Sequence, residues 1–395
     1  MKFIDMFSGI GGFRSALELS GHECIAYSEI DKYAKQSYQA MYDTENEIDL
    51  GDITNISQEY LSRFKEENDI VVGGSPCQSF SLAGSRKGFE DTRGTLFFEY
   101  AKVVKETQPK YFLFENVKGL MSHDKGNTIR VVLETFNELG YCIDFNVFNS
   151  KYYGVPQNRE RIYILGKRKD LVEQPKYHDK TKGKKKFDEI HNWAVDNINY
   201  IELLPPLQTE VTTRLIDVLE DEVDEKYYLS DEKLKKLTLD TDLGGKLNIY
   251  DYNERDKVHS INKVSPTLNT MQGGDRQPKI AVREATKQGY AIAEQGDSVN
   301  VSYPTSTTRR GRVGKQVAQT LQAGEVNQGV VMDDIRIRKL VPVETWRLQG
   351  FTDEQFYKAK DSGVSNSQLY KQAGNAVTVN VVDAITKELF KHGLK

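Results

Sequence analysis

The alternation of apolar and polar positions divides the first half of the chain into strands and helices. Residues 2–6 form a short apolar run that leads into a glycine turn, and a helical spacing of apolar residues follows. A second β-prone run, residues 24–28, ends in Glu29 and Asp31. Strand, glycine turn, helix, strand and acid is the order found in nucleotide-binding βαβ units. The pattern therefore predicts an α/β fold built on a parallel sheet.

Three further apolar runs in this half are predicted to be strands. Residues 70–72 are β-branched, residues 111–114 are mostly aromatic, and residues 162–165 are apolar and aromatic. Amphipathic helical patterns occupy the second part of residues 86–104 and residues 128–139. The polar, glycine-containing first part of residues 86–104 predicts a mobile loop beside the end of a strand.

The second half has a different pattern. Residues 167–187 are polar and basic, and their KGKKK run is typical of a solvated surface segment. Helical patterning returns at residues 213–220 and 230–239, and residues 249–332 alternate short β-prone runs with Gly, Asn and Asp turns. We expect an irregular, mainly β module there.

Helical patterning is restored after residue 338, and Gly374, Asn375 and Ala376 are expected at the N-terminus of a last amphipathic helix. The predicted domains are residues 1–200, residues 201–345, and a segment of residues 346–395 that returns to the first domain.

Composition narrows the class of protein. The 395 residues are 38% hydrophobic and contain no apolar run near the ~18 residues that a membrane span needs. The N-terminus lacks the pattern of a signal peptide. Three widely spaced cysteines fit neither a disulfide framework nor a zinc site, so a reducing cytoplasm and no bound metal are expected.

Charge is unevenly distributed along the second half. The net charge of the whole chain is −4, but residues 201–256 carry 7 Lys/Arg against 15 Asp/Glu, a net charge of −8. Residues 257–339 carry 13 against 7, a net charge of +6. The later segment is the candidate surface for a polyanion, with Arg309, Arg310 and Arg312 suited to phosphate contacts, while the acidic segment is expected to face away.

Several residues have the chemistry of an active site, each with a plainer alternative. Cys77 follows a buried strand, where a nucleophile or simply a buried small residue would stand. Glu115 ends an apolar strand, which raises a carboxyl pKa as a general acid requires. Glu29 is placed to accept from ribose hydroxyls, whereas Asp52 suits either an exocyclic amine or an Asx turn. Arg159 and Arg161 share one side of a strand, as active-site groups or as salt-bridged surface residues.

Taken in order, these segments resemble the motif series of DNA (cytosine-5) methyltransferases. The matching segments, over residues 1–166 and 338–389, are FSGIGGF, Glu29, GDI, GGSPCQSFS, FENV, QNRER, LQGF and QAGNAV. The resemblance implies a Rossmann-like S-adenosylmethionine-dependent methyltransferase sheet with a smaller, irregular, mainly β target-recognition domain. It also implies methyl transfer from S-adenosylmethionine to C5 of a flipped-out cytosine in a short sequence of double-stranded DNA, with no metal.

The resemblance further assigns residues to this chemistry. Cys77 becomes the nucleophile that adds to C6, Glu115 the carboxyl that contacts the ring, and Arg159 and Arg161 the supports of the flipped base and of the Cys77 loop. The cofactor shell implied by the resemblance consists of Phe7, Gly9, Ile10, Gly12, Glu29, Asp52, Ile53, Gly74, Pro76, Leu96 and Asn375. Ile30 stands where many relatives carry an aromatic residue.

DNA contacts are expected from the loop that follows Cys77, with Arg86 and Lys87, and from the unmatched middle of the chain. Thr320 and Leu321 are preferred over Thr267 and Leu268 as base-reading positions because, like the family's Thr-Leu pair, they are the pair that stands nearer before the LQGF segment. The resemblance implies a monomer, acting with or without a cognate restriction endonuclease. A transfer RNA cytosine-5 methyltransferase of the same fold is the alternative. A nicotinamide-dependent oxidoreductase is disfavoured because the glycines do not spell GxGxxG.

Overall fold

A computed structural model describes residues 1–75, 96–238, 279–323, 327–332 and 336–390. Six residues singled out from the sequence lie outside this described part: Pro76, Cys77, Arg86, Lys87, Thr267 and Leu268.

A mixed sheet of seven strands forms the centre of the described chain. The strands of the first half, in chain order, are β1 (Lys2–Met6), β2 (Glu23–Ser28), β3 (Ile48–Asp49), β4 (Ile70–Gly73), β5 (Tyr111–Val117), β6 (Tyr141–Asn149), β7 (Gln157–Asn158) and β8 (Glu160–Arg168). All except β7 join the sheet, in the order β3-β2-β1-β4-β5-β8-β6. Strands β1 to β5 pair in parallel, and β8 is antiparallel to both β5 and β6. The carboxyl ends of β1, β2, β4 and β5 therefore meet at one edge of the sheet.

Helices cover both faces of this sheet. In chain order the described helices are α1 (Gly12–Leu19), α2 (Lys32–Met41), α3 (Gln58–Ser62), α4 (Leu96–Thr107), α5 (Asn127–Glu138), α6 (Lys186–Asn197), α7 (Asp231–Leu237), α8 (Pro342–Arg347), α9 (Asp353–Asp361), α10 (Asn366–Asn375) and α11 (Val379–Phe390). Of these, α7 packs in the smaller region and not on the sheet. None of these described helices is long and apolar enough to cross a membrane.

The two faces have separate apolar cores because successive strand residues point in opposite directions. Phe3 packs with α1, α2 and α8 to α11, whereas its neighbour Ile4 packs with α4 to α6. Val72 and Val71 alternate in the same way. This doubly covered sheet confirms the α/β fold expected from the order of strands and helices.

A smaller, mainly β region follows the sheet in the chain. Strands β9 (Lys279–Arg283) and β10 (Tyr290–Glu294) form a hairpin, and four strands form an antiparallel sheet: β11 (Ser298–Asn300), β12 (Val313–Gly314), β14 (Gln328–Val331) and β15 (Ile337–Lys339). Strand β13 (Ala318–Gln319) pairs instead with β7. Leu229, Leu237, Ile280 and Val299 belong to a third apolar core that fills this region.

Two local predictions are wrong. Residues 213–220 contain only a short 3₁₀ turn, Leu215–Val218. A longer helix does not form because Leu215 is buried in the core that contains Phe3 and its N–H donates to the Gln316 carbonyl. Gly374 and Asn375 end helix α10 rather than begin the last helix, which starts at Val379. Between the two helices the chain is extended at Ala376, and Thr378 is buried with its hydroxyl bonded to Gln349 and Ser150.

Candidate functional site

A cavity of about 540 Å³ opens at the carboxyl edge of the central sheet. Most of the described residues assigned to the site from the sequence line it: Phe7, Gly9, Ile10, Glu29, Asp52, Ile53, Gly74, Leu96, Glu115, Arg159, Arg161 and Asn375. They come from eight segments of the chain, and the sheet brings these segments together at the carboxyl ends of its parallel strands.

The glycine turn after β1 forms one part of the cavity wall. Phe7 and Gly9 both have left-handed backbone, with φ of 53° and 55°. The Gly9 N–H donates to Glu29 Oε2 at 2.8 Å, and the Asp31 N–H donates to Glu29 Oε1 at 2.7 Å. These two bonds fix the Glu29 carboxylate at the end of β2, while its remaining lone pairs can accept from a ligand.

Gly12 does not line the cavity, contrary to its assignment. A Cβ at this position would lie 2.5 Å from the Val377 carbonyl oxygen. Glycine is therefore needed here so that α1 can approach the chain that leads into α11. Gly12 supports the cavity wall from behind.

Asp52 and Ile53 form another part of the cavity wall. The exposed Asp52 carboxylate accepts from the N–H and hydroxyl of Thr54, and these hydrogen bonds lower the pKa of Asp52. It thus forms an Asx turn and also borders the cavity, so the two interpretations of Asp52 are compatible. Ile53 is buried beside it, and Ile30 lines the rim while remaining 73% exposed.

Glu115 and two arginines form the wall at the end of β5 and the start of β8. Glu115 is buried, and its Oε1 lies 3.1 Å from Arg161 Nε. Burial raises the pKa of Glu115, while the positive charges of Arg161 and Arg159 oppose this shift. The carboxyl is therefore able to hold a proton at a pH where an exposed glutamate would have lost it.

Arg159 and Arg161 have different surroundings. Arg159 is buried, and its two terminal nitrogens donate to the carbonyls of Gly374 at 3.2 Å and Ala376 at 2.8 Å. Its Nε is buried without a partner among the described residues. Burial and the neighbouring Arg161 lower the pKa of Arg159 to about 9. Arg159 therefore attaches the end of α10 to the cavity, whereas the half-buried Arg161 contacts Glu115 directly.

The exit of β4 is fixed against β5. A Cβ on Gly74 would lie 2.8 Å from Glu115 Oε2, so the chain that leads to Cys77 passes directly over the carboxyl. The Asn116 side chain donates to the Ser75 carbonyl at 2.9 Å. Ser75 Oγ is buried with no hydrogen-bond partner among the described residues.

Sequence reasoning missed several polar residues of the cavity wall, Ser28 and Ser75 among them. Asn116, Lys371 and Gln372 all line it. Lys371 Nζ bonds to Asp31 Oδ2 at 2.6 Å, and the Gln372 amide donates to the Tyr33 carbonyl at 2.9 Å. The FENV and QAGNAV motifs point to these segments, but pairing across some 340 residues carries no local sequence signal.

The cavity suits an adenosyl ligand. Glu29 offers a carboxylate for ribose hydroxyls, Asp52 an acceptor for an amine, and Phe7 and Ile53 apolar surface for a ring. Within the described ranges, no group of three or more His, Cys, Asp or Glu side chains could hold a metal ion.

The expected DNA contacts in the smaller region are only partly accessible. Arg310 is exposed and Arg309 half-buried beside Tyr303. Arg312 is fully buried and donates to the carbonyls of Arg283, Asn300, Ser302 and Tyr303. Its predicted phosphate contact is wrong because all of its donor groups serve the fold.

Thr320 and Leu321 lie where the smaller region meets β7. The Thr320 hydroxyl donates to the Asn158 carbonyl at 2.9 Å, next to Arg159. Leu321 is 6% exposed and belongs to the same core as Phe3, so its side chain is not available to contact a base. The prediction that Leu321 reads a base is therefore wrong.

Comparison with known proteins gives consistent results. The C-5 cytosine-specific DNA methylase family matches residues 1–391. The orphan methyltransferase M.Rho11sI of Bacillus phage rho11s is 39% identical, with 98% of this chain and 97% of that protein covered. The type II methyltransferase M.BanI of Aneurinibacillus aneurinilyticus is 32% identical, with 100% and 96% covered. A solved structure, a putative DNA modification methyltransferase of an E. coli prophage, shares the fold with a TM-score of 0.56 and 20% identity over 99% of both chains.

Proposed function

Since this chain belongs to the C-5 cytosine-specific DNA methylase family, we propose that it methylates C5 of a flipped-out cytosine in a short sequence of double-stranded DNA. The observation that carries this proposal is that one cavity is lined both by Glu115 and Arg161 and by the glycine turn and Glu29. The first pair suits a pyrimidine ring, and the second group suits an adenosyl methyl donor.

We propose Cys77 as the nucleophile on the basis of its motif, since it lies outside the described residues. C5 of cytosine is a poor nucleophile, and addition of a thiolate to C6 turns the ring into an enamine. A thiolate suits this step because it is strongly nucleophilic near neutral pH and can leave again. Gly74 brings the chain that precedes Cys77 to within contact of Glu115.

Glu115 would supply the proton that balances this addition. As the Cys77 sulfur bonds to C6, negative charge develops on the ring, and protonated Glu115 donates to N3. The electron pair then moves from C5 to the incoming methyl group. A base removes the C5 proton, the C6–S bond breaks to return the thiolate, and N3 returns its proton to Glu115. Arg161 holds the Glu115 carboxyl in place at 3.1 Å.

S-adenosylmethionine fits the other half of the cavity and, when bound, supplies an electrophilic methyl group on a sulfonium. Glu29 would accept from its ribose hydroxyls, and Asp52 from its adenine amine. Phe7 and Ile53 would cover the adenine faces, and Gly9, held by Glu29 at 2.8 Å, keeps the turn open to the ligand.

Duplex DNA would approach the open side of this cavity. A stacked cytosine exposes neither ring face, so the base must leave the helix at a cost of about a few kcal/mol. We propose residues 201–345 as the target-recognition domain, with Arg309 and Arg310 on phosphates and Thr320 near the flipped nucleotide. Arg86 and Lys87 stay proposed contacts of the loop after Cys77. We further propose a cytoplasmic monomer that needs no protein partner for methylation.

The test is bisulfite sequencing of mixed-sequence DNA incubated with the chain and S-adenosylmethionine. We expect protected cytosines confined to one short repeated sequence. Cys77→Ala should abolish protection. Cys142→Ala, which replaces a different cysteine, located on β6, should preserve it. The same assay on transfer RNA tests the alternative substrate: protection of RNA alone would overturn the proposal.

A further inference from the structure

A basic loop outside the cavity has no role in the chemistry described above. Residues 180–186, KTKGKKK, lead into α6, whose first residue is Lys186, and are here named the lysine loop. Its order comes from hydrogen bonds to α6. The Thr181 N–H donates to Asn192, whose side chain donates back to the Thr181 carbonyl, at 2.8 and 2.9 Å. The lysine loop is thus a fixed surface rather than a tail.

Asp188 on α6 completes this arrangement. Its two carboxylate oxygens accept from the Thr181 hydroxyl at 2.9 Å and from the Lys185 N–H at 3.0 Å. A Cβ on Gly183 would lie 2.2 Å from this carboxylate, so the loop can wrap Asp188 only with glycine there. The one acidic group inside the turn is therefore consumed by local hydrogen bonds.

The charges that remain on the lysine loop are uncompensated. Lys180 pairs with Asp196, and Lys186 with Glu189. Lys182, Lys184 and Lys185 are exposed and make no ion pair with another described residue. Three ammonium groups on one ordered turn repel each other, and a polyanion would relieve that repulsion.

The lysine loop lies against the segment that leaves the active-site end of β5. Lys186 Nζ donates to the Lys125 carbonyl at 2.8 Å. Lys125 is exposed and has left-handed backbone, φ 56°, between Asp124 and Gly126, which are also left-handed. This strained turn follows Glu115 by only ten residues and presents a fourth lysine without a described ionic partner.

We propose that the lysine loop and Lys125 bind the phosphate backbone of duplex DNA flanking the target site, independently of its sequence. This inference rests on the proposed function, which brings DNA to the same edge of the sheet. Phosphates spaced along a duplex match several fixed ammonium groups, and such contacts add affinity without specificity. The loop would extend the footprint beyond the flipped base.

The test uses the triple variant K182Q/K184Q/K185Q of the full chain. Binding is measured by fluorescence anisotropy at several salt concentrations, on duplexes of about one and about three helical turns, ~10 and ~30 base pairs, centred on the methylated sequence. On the long duplex we expect Kd to rise about tenfold. The slope of log Kd against log salt should fall by about 2 to 3, as three phosphate contacts predict. On the short duplex Kd should stay unchanged.

The matched control is K358Q/K360Q/K387Q, which removes equal charge from α9 and α11. These helices pack on the face of the sheet opposite α6. Equal affinities of the two triple variants on the long duplex would overturn the proposal, as would an affinity loss confined to a transfer RNA probe. Methylation of the short duplex is scored separately, and its absence in the unmodified chain would count against the proposed function instead.

Discussion

Arg161 Nε lies 3.1 Å from Glu115 Oε1 across the paired strands β5 and β8, in the wall of the cavity. Burial favours the neutral form of this carboxyl, and the guanidinium favours the charged form. The balance between the two sets how readily Glu115 gives up a proton. Replacing Glu115, Arg161 or the neighbouring Gly74 should therefore change the activity of the chain.

Replacing Glu115 by Gln should remove the transferable proton while preserving shape. We expect kcat to fall by about 10²- to 10⁴-fold, the range typical of lost acid–base catalysis. Cofactor affinity should be unchanged, because the proposed contacts to the cofactor come from Glu29 and Asp52 rather than from Glu115. Single-turnover methylation and calorimetric titration with S-adenosylhomocysteine measure the two quantities. Weakened cofactor binding of similar size would contradict the role given to Glu115.

The pH dependence of methylation should respond to Arg161. The proposed acid is protonated Glu115, so its contribution is lost as pH rises through the raised pKa of this carboxyl. Arg161 lowers that pKa, and Arg161→Gln should therefore move the alkaline limb of kcat/KM to higher pH, despite lower overall activity. Arg310→Gln, which alters an exposed arginine, should leave the limb in place. A limb that moved to lower pH in Arg161→Gln would contradict this sign.

Gly74→Ala tests the close approach between β4 and Glu115. The added methyl would lie 2.8 Å from Glu115 Oε2 and must displace either the carboxyl or the chain that leads to Cys77. We expect at least a tenfold loss of kcat, since small displacements at reacting groups are costly. Gly119→Ala is the control, because its Cβ would meet nothing closer than Val117 at 3.8 Å. Equal activity of the two variants would show that the approach does not matter.

The Asp5 carboxyl should affect how the stability of the fold depends on pH, rather than activity. It is buried in β1, and burial raises its pKa to about 8, although Arg14 and the Tyr38 hydroxyl favour the charged form. The folded chain then holds a proton that the unfolded chain releases near pH 4, so this group makes stability fall as pH rises from about 4 to 8. Asp5→Asn should flatten that decline, as measured by urea unfolding across the range. A steeper decline would refute the assignment.

Much of the catalytic wall could be predicted because it depends on local order in the chain. Glu115 and Arg161 each stand at a strand end beside an apolar run, and the antiparallel pairing of β5 with β8 places the start of β8 beside the carboxyl end of β5. The alternation of Phe3 and Ile4, or of Val71 and Val72, likewise follows from the two-residue period of a strand.

The predictions for Arg312 and for the QAGNAV motif were wrong because both segments form hydrogen bonds to other parts of the chain. The sequence TTRRGRVGK favours a basic surface, yet the buried Arg312 donates to the carbonyl of Arg283, 29 residues earlier, and to three carbonyls of residues 300–303. The QAGNAV motif lies at the end of a helix rather than at its start, and the Ala376 carbonyl, where the helix breaks, accepts from Arg159, more than 200 residues earlier. Long-range hydrogen bonds of this kind leave no pattern in the local sequence.

The central proposal, covalent catalysis by Cys77 with Glu115 as the acid, is tested most directly with a duplex carrying 5-fluorocytosine at the methylated position. Fluorine cannot leave C5 as a proton does, so the adduct should persist after methyl transfer. We predict a denaturation-resistant protein–DNA complex whose crosslinked peptide contains Cys77, formed only with S-adenosylmethionine and absent in Cys77→Ala. Methylation of ordinary DNA by a chain that forms no such complex, or a crosslink at another residue, would contradict the account.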